Sequence, residues 1–368
     1  MMAVKKTGKS TGKKRAKKVK PMQPGTLRIR ARGLQVVERT ARSWKKSQRR
    51  FPEAMTVIGL FRAHNNFSFL IDAKDSRFLK GQLSPEGRCQ GTRINILPDG
   101  RRLDKAYSLF ADQLTMHDET SNDHWDVLYR NPGGTYSYVY TLEKKAKATK
   151  RKYDTIKEFD RLYKKLESNV VKALNDRQDA FAVPMLTLMR TYMRVGNELY
   201  YKAHGHKGLT TLKKSDIRIK GRKVTFKYTG KDGVPRLITE EFPDAYVRRL
   251  KQMLRPLKPS SFVFVSRSSG HPLRDTDFEK AFQRYCGRKF YPQIVRAHYA
   301  TKAALAYART HRNITKKDAR TLFLSIAEKL GHRRFSKKDG LWKDSYNVTT
   351  HYYIRPDVVE KINGLVRK

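Results

Sequence analysis

Leu330-Gly331-His332 and, further along, Tyr352-Tyr353-Ile354-Arg355-Pro356-Asp357-Val358 are the stretch around which this chain is organised. Gly331 stands where a C-terminal cap glycine belongs, so a helix is expected to end there and present His332 just beyond it. Leu322, Ile326 and Leu330 recur at helical spacing, and Thr315 is placed to cap that helix. The same period runs back along the chain. Ile156, Phe159, Leu162, Leu166, Val170 and Leu174 predict one helix, and Leu186, Met189, Met193 and Tyr200 predict a second over about 183–203. Arg194 falls on that second helix, with Glu198 four residues on as a plausible ion-pair partner. Pro243 opens a helix with Tyr246, Leu250 and Leu254 inside, Asp275 caps one holding Phe278 and Phe282, and an Ala-rich helix follows Arg296. One hairpin interrupts: residues 223–228 alternate, Thr229-Gly230-Lys231-Asp232-Gly233 turns, and 234–240 returns. That places Lys231 at a hairpin tip.

The front of the chain has a different period. From 51 to 142 the pattern is β-like, with short β-rich runs at 55–61, 67–71 and 93–97. The clearest hairpin joins 124–130 to 135–141 through Asn131-Pro132-Gly133-Gly134. Its aromatic residues suit the packing of a small β domain, and could also stack on bases or sugars. Residues 143–152 read as a basic connector. Residues 1–50 hold 18 Lys and Arg against one acid, Glu38, and are expected to form a basic, largely disordered arm. The expected organisation is therefore α+β: an arm to residue 50, a β-rich domain over 51–142, the connector, and a mainly helical domain with a short β-hairpin over 153–368.

The chain has 368 residues and a net charge of +47, with 81 Lys and Arg against 34 acids. Basic residues run along the whole length, which favours nucleic acid as partner over a membrane surface. No apolar run approaches a membrane span, and the Lys-rich start is not followed by an apolar segment. Cys89 and Cys286 form no CxxC and no disulfide framework and read as ordinary thiols. These features predict an intracellular protein associated with nucleic acid. Nothing resembles a glycine-rich phosphate loop, a zinc site or an EF-hand, so neither cofactor nor metal is expected.

Tyrosine is a weak nucleophile, since its hydroxyl has a pKa near ~10. Its attack on a phosphodiester builds charge on the non-bridging oxygens, which demands fixed cations and donors. Arginine clamps two oxygens and stays charged, histidine adds a donor, and lysine can protonate the departing sugar oxygen. Arg194, Lys231, Arg296, His332 and a tyrosine of the tail are thus a chemically complete set for transesterification. Each has a plainer reading. Arg194 could be salt-bridged, Lys231 an exposed turn lysine, His332 a cation at a helix end, and Tyr346, Tyr352 and Tyr353 packing residues. Arg274 and Arg288 are basic neighbours that compete with Arg296.

Arg194-Val195-Gly196-Asn197-Glu198, Gly208-Leu209-Thr210-Thr211-Leu212 and Gly230-Lys231-Asp232-Gly233 strongly resemble the catalytic domain of type IB DNA topoisomerases, closest to the short poxvirus and bacterial forms. The resemblance covers roughly 150 to 368. It implies that Arg194 clamps the phosphate, Lys231 is the general acid, His332 is a phosphate donor and Tyr353, ahead of Ile354-Arg355-Pro356, is the nucleophile, with Tyr352 in reserve. Arg296 would be the second arginine, in a segment worded more like tyrosine recombinases, which share the fold and chemistry. Gln293 stands where the poxvirus-like forms carry a second lysine. Residues 333–345 form a basic insertion between His332 and the tyrosines. The β-rich front matches in placement as half of a DNA clamp.

The resemblance implies relaxation of supercoiled double-stranded DNA through a 3′-phosphotyrosine, without ATP or metal, by a monomeric clamp. A tyrosine recombinase or resolvase acting at specific sites is the alternative, and an architectural DNA binder ranks last.

Overall fold

The computed structural model describes residues 22–117, 125–336 and 338–367. The fold is α+β, in two compact units, Met1–Lys150 and Arg151–Lys368, each with its own hydrophobic core.

In the first unit, strands β1 (Leu27–Ile29), β2 (Val36–Arg39) and β3 (Trp44–Lys46) open an antiparallel sheet. This corrects the expectation of a disordered arm to residue 50. Leu27, Ile29, Val36 and Val37 are buried, enough apolar surface to anchor a sheet among basic neighbours. Residues 1–21, which hold the densest basic runs, lie outside the described residues. Helix α1 (Pro52–Ala63) replaces the strand expected at 55–61. Pro52 suits a first helical turn, and the buried Ala54, Val57, Ile58 and Phe61 are spaced by three and four. Phe67–Leu70 is a 3₁₀ turn rather than a strand. Strands β4 (Gln82–Leu83) and β5 (Cys89–Gln90) complete the first sheet in the order β3-β2-β1-β4-β5. A pair follows, β6 (Ile94–Ile96) and β7 (Arg102–Tyr107), and then a sheet ordered β10-β9-β8 from β8 (Asp112–Met116), β9 (Val127–Arg130) and β10 (Tyr136–Val139). Tyr136 pairs with Arg130 across the expected Asn-Pro-Gly-Gly turn, and His124, expected to start that hairpin, lies outside the described residues.

Residues 143–152, expected as a basic connector, are helical. They belong to α2 (Leu142–Ala173), within which the two units divide. Lys, Ala, Arg and Glu are good helix formers, and Glu143 pairs with Lys147 one turn on at 2.8 Å. Helix α3 (Ala182–Thr191) is buried on nearly every side. It stops at Tyr192, whose φ of 54° is left-handed, so the expected helix over 183–203 is two. After an extended stretch, Asn197 caps α4 (Glu198–His204) by accepting from the Tyr200 amide at 2.9 Å.

Strands β11 (Ile217–Lys220), β12 (Lys223–Thr229) and β13 (Pro235–Glu241) form an antiparallel sheet in that order. On β12, Val224, Phe226 and Tyr228 are buried while Lys223 and Lys227 are exposed, the alternation a one-sided strand requires. Helices α5 (Asp244–Leu254), α6 (Asp275–Cys286), α7 (Ile294–Thr310) and α8 (Lys316–Leu330) follow. Thr315 and Asp318 form a capping box at the start of α8, and Gly331, φ 72°, closes it. The basic insertion is a ribbon of β14 (Arg333–Ser336) and β15 (Leu341–Asp344), with Phe335 edge-on to Trp342 at 5.3 Å. Helices α9 (Asn347–Tyr352) and α10 (Pro356–Gly364) end the chain. Phe159 sits in the core against Phe282 and Phe290. Truncating such a buried ring costs about 3–5 kcal/mol. No helix among the described residues is long and apolar enough to cross a membrane.

Candidate active site

Arg194 lies in the extended stretch between α3 and α4, not on a helix, and its sequence neighbours explain how it is held. Gly196 has φ 100°, open to glycine and strained for other residues. A Cβ on Gly208 would come within 2.6 Å of the Gly196 backbone and 2.7 Å of the Arg194 carbonyl oxygen, so the two segments approach as only glycine allows. Leu209 then donates to the Arg194 carbonyl at 2.8 Å and Thr210 to the Val195 carbonyl at 2.7 Å. The Gly-Leu-Thr-Thr motif is thus a brace for the Arg194 backbone. Glu198, weighed as its ion-pair partner, pairs instead with Lys202 and His271.

Braced this way, Arg194 donates from Nη2 to the Tyr353 hydroxyl at 3.2 Å. Gln293, at the start of α7, donates from Nε2 to the same oxygen at 2.8 Å. Tyr353 is 3% exposed, whereas Tyr352 is 59% exposed, and Tyr346 packs against Phe323. The Thr301 hydroxyl on α7 donates to the Tyr353 carbonyl and accepts from the Arg355 amide, both at 3.3 Å, so the backbone around Tyr353 is fixed as well as its hydroxyl. Burial works to raise the Tyr353 pKa, but the charges of Arg296 and Arg194 outweigh it and hold the phenol below its ordinary value.

Arg296, in the first turn of α7, is 3% exposed. It donates to the carbonyls of Tyr192 and, at 2.9 Å, Leu330, and its guanidinium lies 5.2 Å from the Tyr353 ring centre. Its Nη2 stands 3.1 Å from His332 Nε2, and its Nε has no hydrogen-bond partner among the described residues. Burial pulls its pKa down to about 10, which leaves it charged at neutral pH.

An arginine can only donate, so His332 Nε2 accepts, and Nδ1 carries the proton toward Thr349 Oγ1 at 2.8 Å. His332 is therefore neutral here. Burial, then the charges of Arg296, Arg194 and Arg236, push its pKa down to about 3. The suggestion of a cationic imidazole at the helix end fails for that reason.

Lys231 is exposed at the turn between β12 and β13, where Gly230 donates to the Val234 carbonyl at 2.7 Å. A cavity of about 130 Å³ is lined by Arg194, Lys231, Arg236, Arg296 and His332 among others. A larger one of about 570 Å³ beside it shares Arg194, Lys231 and Arg296 and adds Gln293. All four upstream candidates thus meet around one cationic hollow, with Tyr353 bound to Arg194 at its edge. Arg288 is engaged by Glu158. Among the described residues no three His, Cys, Asp or Glu side chains gather closely enough to hold a metal ion.

Two contacts escaped the sequence. Lys152 on α2 donates to the Tyr352 carbonyl and lies 6.0 Å from the Tyr353 ring, and burial lowers its pKa. No local signal joins residues 200 positions apart. Gln293 had a signal, since it sits three before Arg296 and one turn places both on one face.

Residues 141–340 match the family described as eukaryotic DNA topoisomerase I, catalytic core. That span holds Arg194, Lys231, Arg296 and His332 and ends before Tyr353. The chain is also similar to a protein of Acanthamoeba polyphaga mimivirus named DNA topoisomerase 1B, 26% identical over 211 residues, or 54% of this chain and 62% of the relative. It thus spans less than two thirds of that relative's length. Two solved structures of the XerH site-specific recombinase on difH substrates are 18% identical. The pre-cleavage complex has a TM-score of 0.32 over 48% of this chain and 50% of that one. The post-cleavage complex has a TM-score of 0.35 over 52% and 46%.

Proposed function

The chain belongs to the eukaryotic DNA topoisomerase I catalytic-core family, and we propose that it relaxes supercoiled duplex DNA by reversible transesterification at Tyr353. The Tyr353 oxygen attacks the phosphorus, and its proton leaves to water. The bond from phosphorus to the 5′-oxygen breaks as the Tyr353 bond forms, and Lys231 protonates that oxygen as a general acid. The products are a 3′-phosphotyrosine and a free 5′-hydroxyl end. Rotation of that end releases supercoils, and the reverse attack reseals the strand. One phosphodiester is exchanged for another, so the bond energy is retained and ATP is not needed.

Arg194 and Arg296 hold the non-bridging oxygens and stabilise their developing charge. His332 contributes a third bond without titrating. When Arg296 turns to the phosphate, the Thr349 hydroxyl donates to Nδ1 and frees the proton for Nε2, which then donates to the phosphate. The observation that carries the reading is the Tyr353 hydroxyl held by Arg194 and Gln293 beside the cationic cavity. The net charge of +47 suits duplex DNA gripped mainly through its phosphates. We read the protein as acting as a single copy, wherever in the cell or viral particle that DNA lies.

The decisive experiment is relaxation of negatively supercoiled plasmid in EDTA, combined with denaturant trapping and mass-spectrometric mapping of the modified tyrosine. The expected result is relaxation with the adduct on Tyr353. No relaxation by the wild type, or an adduct on Tyr352, overturns the proposal as stated. The recombinase reading draws on the wording around Arg296. Its His298, however, bonds Asp160 at 2.8 Å and stacks on Tyr163. Strand exchange between two defined duplexes, with arbitrary plasmid left supercoiled, would favour that reading.

A further inference from the structure

Lys231 and His332, which both line the small cavity, each follow a glycine, Gly230 and Gly331. One side chain, Arg236, reaches both glycines. It lies on β13 opposite Tyr228. A Cβ on Gly230 would come within 3.2 Å of Arg236 Cγ, so its aliphatic stem runs along the residue before Lys231. Its guanidinium donates from Nη1 to the Glu328 carbonyl and from Nη2 to the Lys329 carbonyl, both at 3.1 Å. Those carbonyls belong to the last turn of α8, where the helix dipole favours a cation. A Cβ on Gly331 would overlap the guanidinium itself. Glycine at 331 therefore serves twice, for its left-handed φ of 72° and for the room it leaves to Arg236.

We infer that Arg236 is a positioning residue that straps the turn carrying Lys231 to the helix end carrying His332, fixing the separation of the two across the cavity. The inference rests on the reading of Lys231 as the general acid. A lysine at an exposed turn has no burial to hold it, so its reach to the leaving oxygen depends on where the turn is anchored. Arg236 supplies that anchor with a forked pair of hydrogen bonds, which an ammonium cannot reproduce.

The test uses the full chain and single-turnover cleavage at a site first mapped with the wild type. Two duplexes are compared, one with the native 5′-oxygen and one with a bridging 5′-sulfur, which departs as a thiolate and needs no general acid. Arg236→Met keeps the stem along Gly230 and removes the fork. It is expected to slow the oxygen duplex about 100-fold, yet stay within about threefold of the wild type on the sulfur duplex, with Arg236→Lys between. Equal slowing on both duplexes, as a merely structural role at the end of α8 predicts, overturns the inference. So does oxygen cleavage within about twofold of the wild type.

Amide hydrogen exchange without DNA gives a second readout. Arg236→Met should speed exchange across 230–233 and at His332 while β11 is unchanged, and unaltered exchange at 230–233 overturns the inference. A wild type that cuts neither duplex counts against the proposed function, and the exchange measurement still decides the role of Arg236.

Discussion

Arg296 and Lys231 line the same cavity and are held in opposite ways. Arg296 is buried at the start of α7, tied to two carbonyls and to His332. Lys231 is exposed at a turn between two strands. The buried side is shaped by packing and by hydrogen bonds within the fold. The exposed side carries its group on a lever whose placement comes from outside, through Arg236. A site that must hold a phosphate still and also release a proton to a departing oxygen is suited by this division: fixed charges where charge develops, a reachable donor where a bond breaks.

The sharpest way to probe the contrast is to remove the group both sides serve. Tyr353→Phe deletes one hydroxyl and keeps the ring, whose centre lies 5.2 Å from the Arg296 guanidinium and 4.6 Å from the His332 ring. Denaturing gels should show complete loss of the covalent adduct with the fold retained, and any residual adduct would move the nucleophile elsewhere. Next in size is Arg296→Ala. It strips donors from buried acceptors, so it should lower stability by on the order of 2–3 kcal/mol and slow cleavage by about 100- to 1,000-fold, read by denaturant melts and single-turnover kinetics.

Lys231→Ala is the counterpart. Cleavage should fall about 100-fold with the melting curve unchanged, because the side chain is exposed. A melting loss as large as that of Arg296→Ala would break the comparison. His332 gives a pH signature of the buried side. Its folded pKa of about 3 lies below the ordinary 6.5, so between these values the unfolded chain binds the extra proton. Its contribution to stability is full above pH 6.5 and is lost as pH falls toward 3. Replacing it by Asn should flatten the loss of Tm across that window. The smallest effect is expected from Gln293→Ala, which removes one donor to the Tyr353 hydroxyl and should slow cleavage about tenfold.

Much of the candidate site was legible because the motifs that carry the resemblance are local. A cap glycine before a histidine, a hairpin tip with a lysine, and a tyrosine before Ile-x-Pro are each set by a few neighbouring residues. The errors fall where local pattern is ambiguous. Valine and isoleucine at 57 and 58 suit a strand or a helix, and the helix won because four apolar residues had to share one face. Charge density concealed β1 to β3, since a few buried apolar residues are enough to anchor short strands. The helix expected through Arg194 is broken at Tyr192 and Gly196, where contact with Gly208 imposes an extended backbone that helical periodicity does not report.

The sequence by itself determined the α+β class, helices such as α8 and the Lys231 hairpin, because propensity, capping and periodicity act within a few residues, and its resemblance to a family implied the five residues of the candidate site. Only the tertiary structure decided what touches the Tyr353 hydroxyl, the neutral state of His332, and the meeting of Arg236 with two glycines 101 positions apart. Those are products of packing and of charges brought together in a low-dielectric interior, where strength depends on separations in space that the order of residues does not encode.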